Sequence, residues 1–170
     1  MNDKIQLLIV EDEALIAHNM KQTLEDFGYE IVGVCHSYEE AMISIKKLEF
    51  DVLLLDINLG SLTHHTGLDI AAQLPSIKCV PFIFLTAFSD RETINQATKL
   101  NPSAYLVKPL NEFTLFATIQ TAFVNFNQNQ SATLPDETAP SPDFFYSKIG
   151  RKITKVYWNE VVVLEAIKNY

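Results

Sequence analysis

Cysteine is scarce. The 170 residues hold two, Cys35 and Cys79, with no CxxC pair and no disulfide framework. Both read as small hydrophobes, and a reducing cytoplasm is the simplest compartment. No run approaches the ~18 apolar residues of a membrane-spanning helix. The opening MNDKIQLLIVEDE has charges on both sides of a short apolar run and no small-residue cleavage site, which excludes a secretory signal. Neither GxGxxG nor GxxxxGK occurs, so a nucleotide-phosphate loop is not expected. Basic residues are outnumbered 13 to 21, giving a net charge of −8. That balance argues against non-specific nucleic-acid binding by this chain.

What is present is a foldable composition, 48% hydrophobic and 20% charged. The charge is uneven. Residues 1–126 carry −8, residues 127–142 carry −2 and residues 143–170 carry +2. An acidic body followed by a small basic tail points to two modules. Between them, 127–142 reads as a flexible linker, because Gln128 to Asp143, QNQSATLPDETAPSPD, has three prolines and almost nothing apolar to offset its ordering entropy.

The first 126 residues alternate strand and helix patterns. Apolar runs at Ile5–Val10, Ile31–Val34, Val52–Leu55, Val80–Leu85 and Ala104–Val107 have the length of strands buried on both faces. Helical spacing fills the intervals. Ala14, Leu15, Ala17, Met20, Leu24 and Phe27 fall mainly on one face, and Gly28 supplies a stop. Ser37-x-x-Glu40 and Ser89-x-x-Glu92 form capping boxes for the second and fourth helices, and Asn111 can cap the fifth. Five β-α units imply a parallel sheet with helices on both sides.

Ligands of such sheets bind beyond the carboxyl ends of the strands. There the sequence places Glu11 and Asp12 after strand one, Asp56 after strand three, Thr86 after strand four, and Lys108 with Pro109 after strand five. Clustered carboxylates repel one another, and a hard divalent cation such as Mg2+ relieves that cost. Lys108 is a compact point charge suited to a phosphate oxygen.

Residues 1–126 resemble the receiver domain of two-component response regulators. The likeness rests on LLIVEDE with Glu11 and Asp12, VLLLDINL with Asp56, FIFLTA with Thr86, and AYLVKPL with Tyr105, Lys108 and Pro109. The spacings of 44, 30 and 22 residues from Asp12 through Asp56 and Thr86 to Lys108 agree with the family pattern. The resemblance implies a flavodoxin-like (βα)5 fold of the α/β class. It implies that Asp56 accepts a phosphoryl group from a sensor histidine kinase, with Mg2+ held by Asp12, Asp56, the backbone carbonyl of Asn58 and, through a water, Glu11. Thr86 and Lys108 would bind phosphoryl oxygens, Tyr105 would be the aromatic switch, and the Lys108–Pro109 peptide would be cis. Dimerisation on phosphorylation would use the face of the fourth helix and fifth strand, near Arg91, Asn95, Lys99 and Asn111.

Three features depart from the pattern. Glu11 stands where many receivers have Asp. Gly60 stands where Pro is usual. The loop from Asp56 to Gly67 is longer than usual and contains SLTHHT; its His64 and His65 read as a solvated insertion, with a metal or pH element as the alternative. His18 and His36 read as structural or surface residues.

The tail 143–170 resembles the start of a LytTR-type DNA-binding domain. FFYSKI, Gly150 and KITKVYW read as a hairpin, and VVVLEAI as a further strand. A complete domain of that type is several times longer, so the chain reads as a shortened form of a transcriptional regulator that binds DNA only at full length. A stand-alone receiver acting through protein contacts is the alternative. The enzyme reading, a phosphatase of the haloacid dehalogenase type, needs a second Asp two residues after the first, where this chain has Asn58. The expectation is therefore a phosphoacceptor signalling protein and not an enzyme.

Overall fold

The structure is a computed structural model that describes residues 4–60, 65–87, 91–131, 144–149 and 152–157. The chain divides into two compact units, Met1–Ser131 and Ala132–Tyr170.

In the first unit five strands alternate with five helices. The strands are β1 (Gln6–Val10), β2 (Glu30–Cys35), β3 (Val52–Asp56), β4 (Phe82–Thr86) and β5 (Ala104–Val107). The helices are α1 (Ala14–Asp26), α2 (Tyr38–Lys47), α3 (Gly67–Ile77), α4 (Arg91–Lys99) and α5 (Glu112–Ser131). All strand pairs are parallel, in the order β2-β1-β3-β4-β5. This is the flavodoxin-like doubly wound arrangement. No described helix is long and apolar enough to cross a membrane.

The period of two along each strand feeds two cores. Leu8, Val10, Leu53, Leu55, Phe82 and Phe84 point into a cluster with Ile45, Ile70 and Leu74 of α2 and α3. Leu7, Ile9, Val52, Leu54, Ile83 and Leu85 point into a second cluster, with Met20 and Leu24 of α1 and Leu115 and Ile119 of α5. Covering both faces explains why β1, β3 and β4 read as unbroken apolar runs.

The helix ends follow their local chemistry. At the end of α1, Gly28 takes a φ of +90°, which glycine adopts without steric cost. Ser37 caps α2 by accepting from the Glu40 N–H at 3.2 Å. The Glu40 carboxylate reaches one residue further back than a capping box requires, accepting from the His36 N–H at 2.8 Å. Asn111 Oδ1 accepts from the Thr114 N–H at 3.0 Å and caps α5. The Ser89 cap lies outside the described residues.

One boundary differs. α5 continues to Ser131, so residues 127–131, read as linker from sequence, are helical. Gln and Asn do not break a helix, and the first proline comes only at Pro135. The remainder of that linker lies outside the described residues.

In the second unit β6 (Phe144–Ile149) and β7 (Lys152–Tyr157) pair antiparallel, from Phe144 opposite Tyr157 to Ile149 opposite Lys152. FFYSKI and KITKVY are thus the two arms expected of a hairpin. The VVVLEAI segment lies outside the described residues.

Candidate phosphoryl and metal site

The sheet register levels the strand ends. Val10 pairs with Leu55, Asp56 with Leu85, and Thr86 with Val107. The residues that finish or follow these strands therefore meet at one rim.

Three carboxylates converge there. Glu11, Asp12 and Asp56 each offer an oxygen within 4.8 Å of the others, and no other such group of metal-capable side chains occurs among the described residues. Glu11 and Asp56 are buried, Asp12 half-buried. An all-oxygen set of this size suits a hard cation such as Mg2+, which takes one or two protein carboxylates and keeps several waters. The residues present therefore fit the cation that the sequence pattern implies.

Lys108 closes the rim. Its Nζ donates to Glu11 Oε1 at 2.8 Å, to Glu11 Oε2 at 2.6 Å and to Asp56 Oδ2 at 2.6 Å. The other Asp56 oxygen, Oδ1, accepts from the Asn58 N–H at 3.0 Å. The Lys108–Pro109 bond is cis.

The charges adjust to this crowding. Burial, reinforced by the Asp56 charge and opposed by Lys108, pushes the Glu11 carboxyl up to about 7. Lys108 is pushed above its ordinary value: burial works against its charge, but hydrogen bonds and charge from Asp56 and Glu11 together outweigh it.

Thr86 is buried at the end of β4, and its carbonyl accepts from the Lys108 N–H at 2.7 Å. Tyr105 lies two residues before the end of β5, opposite Phe84 in the sheet, with the two rings edge to face at 6.0 Å. Its hydroxyl is buried without a hydrogen-bond partner. Asn58 is exposed beside Asp56.

Two contributors escaped sequence reasoning. His36, read as a structural or surface residue, sets its ring Nδ1 2.8 Å from the Glu11 carbonyl. Gly67 packs against the backbone of Asp56 and Ile57, and its N–H donates to the Ile57 carbonyl at 2.9 Å. A signal for this junction was present in Thr66-x-x-Asp69, a capping box in which Asp69 Oδ2 accepts from the Thr66 N–H at 2.7 Å. Of the two loop histidines, His65 stacks on Tyr38 at 4.2 Å with Nδ1 3.8 Å from Asp69 Oδ2, and His64 lies outside the described residues.

A doubly wound parallel sheet with this acidic rim and a lysine defines a class, the signal receiver domains. The family model described as the response regulator receiver domain matches residues 7–120, and the chain belongs to that family, the phosphoacceptor signalling domains of two-component systems. It is 33% identical over 123 residues to the transcriptional regulatory protein PdtaR of Mycobacterium tuberculosis, a match covering 72% of this chain and 58% of the relative. It thus spans somewhat more than half of that relative's length. Among solved structures, the signal receiver domain of a modulated diguanylate cyclase from Desulfovibrio desulfuricans is 35% identical, with a TM-score of 0.69 over 75% of this chain and 99% of that one. A response regulator from Burkholderia pseudomallei, with a phosphorylated aspartic acid, a calcium ion and citrate, is 25% identical, with a TM-score of 0.62 over 78% of this chain and 76% of that one.

Proposed function

We propose that Asp56 is the phosphoacceptor and that the chain takes its phosphoryl group from a sensor histidine kinase. The observation that carries this is the convergence of Glu11, Asp12 and Asp56 within 4.8 Å, with Lys108 bonded to Asp56. A carboxylate oxygen of Asp56 attacks phosphorus. The new P–O bond forms as the P–N bond of the donor phosphohistidine breaks, and the departing imidazole nitrogen takes a proton. Such transfer needs positioning and charge neutralisation more than covalent machinery. Asp12, Asp56, the Asn58 carbonyl and, through a water, Glu11 would hold Mg2+, which neutralises charge on the transferring group when bound. Lys108 pairs with one phosphoryl oxygen and the Thr86 hydroxyl donates to another. Tyr105 then follows Thr86 as the switch that reports the modified state. The relative from Burkholderia pseudomallei, with its phosphorylated aspartic acid and calcium ion, supports this reading.

The output we infer is transcriptional, through a LytTR-type DNA-binding domain that begins with the β6–β7 hairpin. The likeness to a transcriptional regulatory protein supports the transcriptional part of this reading. The compartment is the cytoplasm. Phosphorylation promotes a homodimer through α4 and β5, whose Ile94 and Val107 are exposed at 42% and 46%.

Intact-mass spectrometry after incubation with acetyl phosphate tests the first part. One phosphoryl adduct is expected, dependent on Mg2+ and absent from Asp56→Asn. An adduct undiminished in that variant overturns the assignment.

A further inference from the structure

Two carboxylates of the rim, those of Glu11 and Asp12, are neighbours in the chain and flank one peptide plane. The Glu11 carbonyl and the Asp12 N–H turn as a single rigid unit, so whatever fixes that carbonyl constrains the aim of both side chains. Asp12 depends on this most. Its half-buried carboxylate takes no hydrogen bond from another described residue, whereas that of Glu11 is held by Lys108. The backbone ladder stops one bond short of the carbonyl. The β1–β2 register ends with Val10 opposite Cys35, and the last rung is the Glu11 N–H on the Cys35 carbonyl at 2.9 Å. Beyond it the chain turns away into α2: the His36 N–H goes to the Glu40 carboxylate at 2.8 Å, and Ser37 becomes the cap. The His36 ring stays at the sheet. Its Nδ1 lies 2.8 Å from the Glu11 carbonyl oxygen, in place of the next rung of a parallel ladder. A carbonyl oxygen only accepts, so Nδ1 carries the proton and donates.

We propose that His36 is a positioning residue for the cation site: its ring replaces the missing rung, locks the Glu11–Asp12 peptide and so keeps the Asp12 carboxylate beside that of Asp56. This rests on the reading of the rim as a cation-assisted phosphoacceptor site. The anchoring starts at α2. The Glu40 carboxylate, in the first turn of that helix, holds the His36 backbone; the His36 ring holds the peptide; the peptide aims the carboxylates. His36 itself supplies no ligand. Its contribution is preorganisation, which spares the freedom that an untied turn would lose on closing round an ion. The scale is that of one hydrogen bond, a ceiling of roughly tenfold in affinity.

Calorimetric titration of the full chain with MgCl2, beside thermal melting in EDTA, tests this in the wild type, His36→Asn, His36→Gln and His36→Leu. The amide nitrogen of Asn can take the place of Nδ1, and that of Gln the place of Nε2. His36→Asn should keep the wild-type Mg2+ affinity, while His36→Gln and His36→Leu should each lose about three- to fivefold. Equal Mg2+ affinity in the wild type and His36→Leu overturns the proposal even if the melting temperature falls, because the ring then serves the fold and not the site. Equal losses in His36→Asn and His36→Leu overturn it as well, since a donor at the Nδ1 position would then make no difference. So does a wild type that binds no Mg2+. The unmutated protein in EDTA offers an independent readout. In mildly alkaline buffer, nitrogen-15 spectra of the neutral His36 ring should place the proton on Nδ1; a proton on Nε2 instead is the contrary result. None of these measurements involves phosphorylation. An Asp56 that takes no adduct while the His36 pattern holds would count against the phosphoacceptor reading alone. A normal adduct with Mg2+ affinity indifferent to His36→Leu would count against this proposal alone.

Discussion

Gly67 stands directly against the carbonyl of Asp56: a Cβ at position 67 would collide with that oxygen and lie 2.9 Å from the Asp56 carbonyl carbon and 3.0 Å from Ile57 Cα. The atoms it would meet are backbone, which cannot swing aside like a flexible side chain. Gly67→Ala should therefore cost about 1–3 kcal/mol or more, as overpacking does. It should also slow acetyl phosphate labelling by displacing Asp56. Thermal melting and the rate of adduct formation check the two effects. An unchanged melting temperature would mean that α3 can move away from β3 at little cost.

The buried Glu11 carboxyl ties stability to pH. Its ordinary value is 4.5, and in the folded protein it rises to about 7. Below pH 4.5 both states are protonated and the shift has no effect. Between 4.5 and 7 the unfolded chain ionises first, so stability falls as pH rises. In EDTA, the melting temperature of the wild type relative to Glu11→Gln should decline across that window and level off above it. Mg2+, which prefers the ionised carboxylate, should restore more at pH 8 than at pH 5. A wild-type-minus-variant difference that does not change with pH contradicts this account.

Tyr105 keeps a hydroxyl in the protein interior with no partner, a burden of about 1–3 kcal/mol for a polar group of this kind. Tyr105→Phe removes the hydroxyl and keeps the ring against Phe84. The urea midpoint of the variant should equal or exceed that of the wild type. A clear drop would reveal a partner for the hydroxyl in solution.

The two thiols should differ sharply in reactivity. Cys35 is buried, and burial, partly offset by a hydrogen bond with Ser44, pushes its thiol above the ordinary value; Cys79 is exposed. Iodoacetamide at pH 8 should add one label to the native protein and two after denaturation. Peptide mapping should place the first on Cys79. Rapid double labelling of the native protein would show that β2 opens readily.

Much of the fold could be read from residue order because the central strands are buried on both faces, which leaves unbroken runs such as LLIV and VLLLD. The strand-end residues followed from topology alone. Side-chain reach did not. No spacing rule predicts that Lys108 meets Glu11 with both oxygens, since Glu11 and Asp56 compete for one ammonium and only the packed rim decides the share. The end of α5 was misplaced because a polar, proline-free stretch resembles both a linker and an exposed helix. The Glu40 side chain, expected on the Ser37 N–H, found the His36 N–H instead, a choice governed by the backbone leaving β2.

The pairing order of the sheet has one more consequence. Glu11 and Lys108 are 97 positions apart and Asp56 and Lys108 are 52 apart, joined only because β1, β3, β4 and β5 lie side by side. Contacts so distant in sequence are slow to form. A nascent, damaged or half-unfolded chain still carries Asp56, but without its lysine and companion carboxylates. Under the phosphoacceptor reading the protein is its own inspector: only a finished sheet can be marked, and a faulty copy stays silent without any outside surveillance.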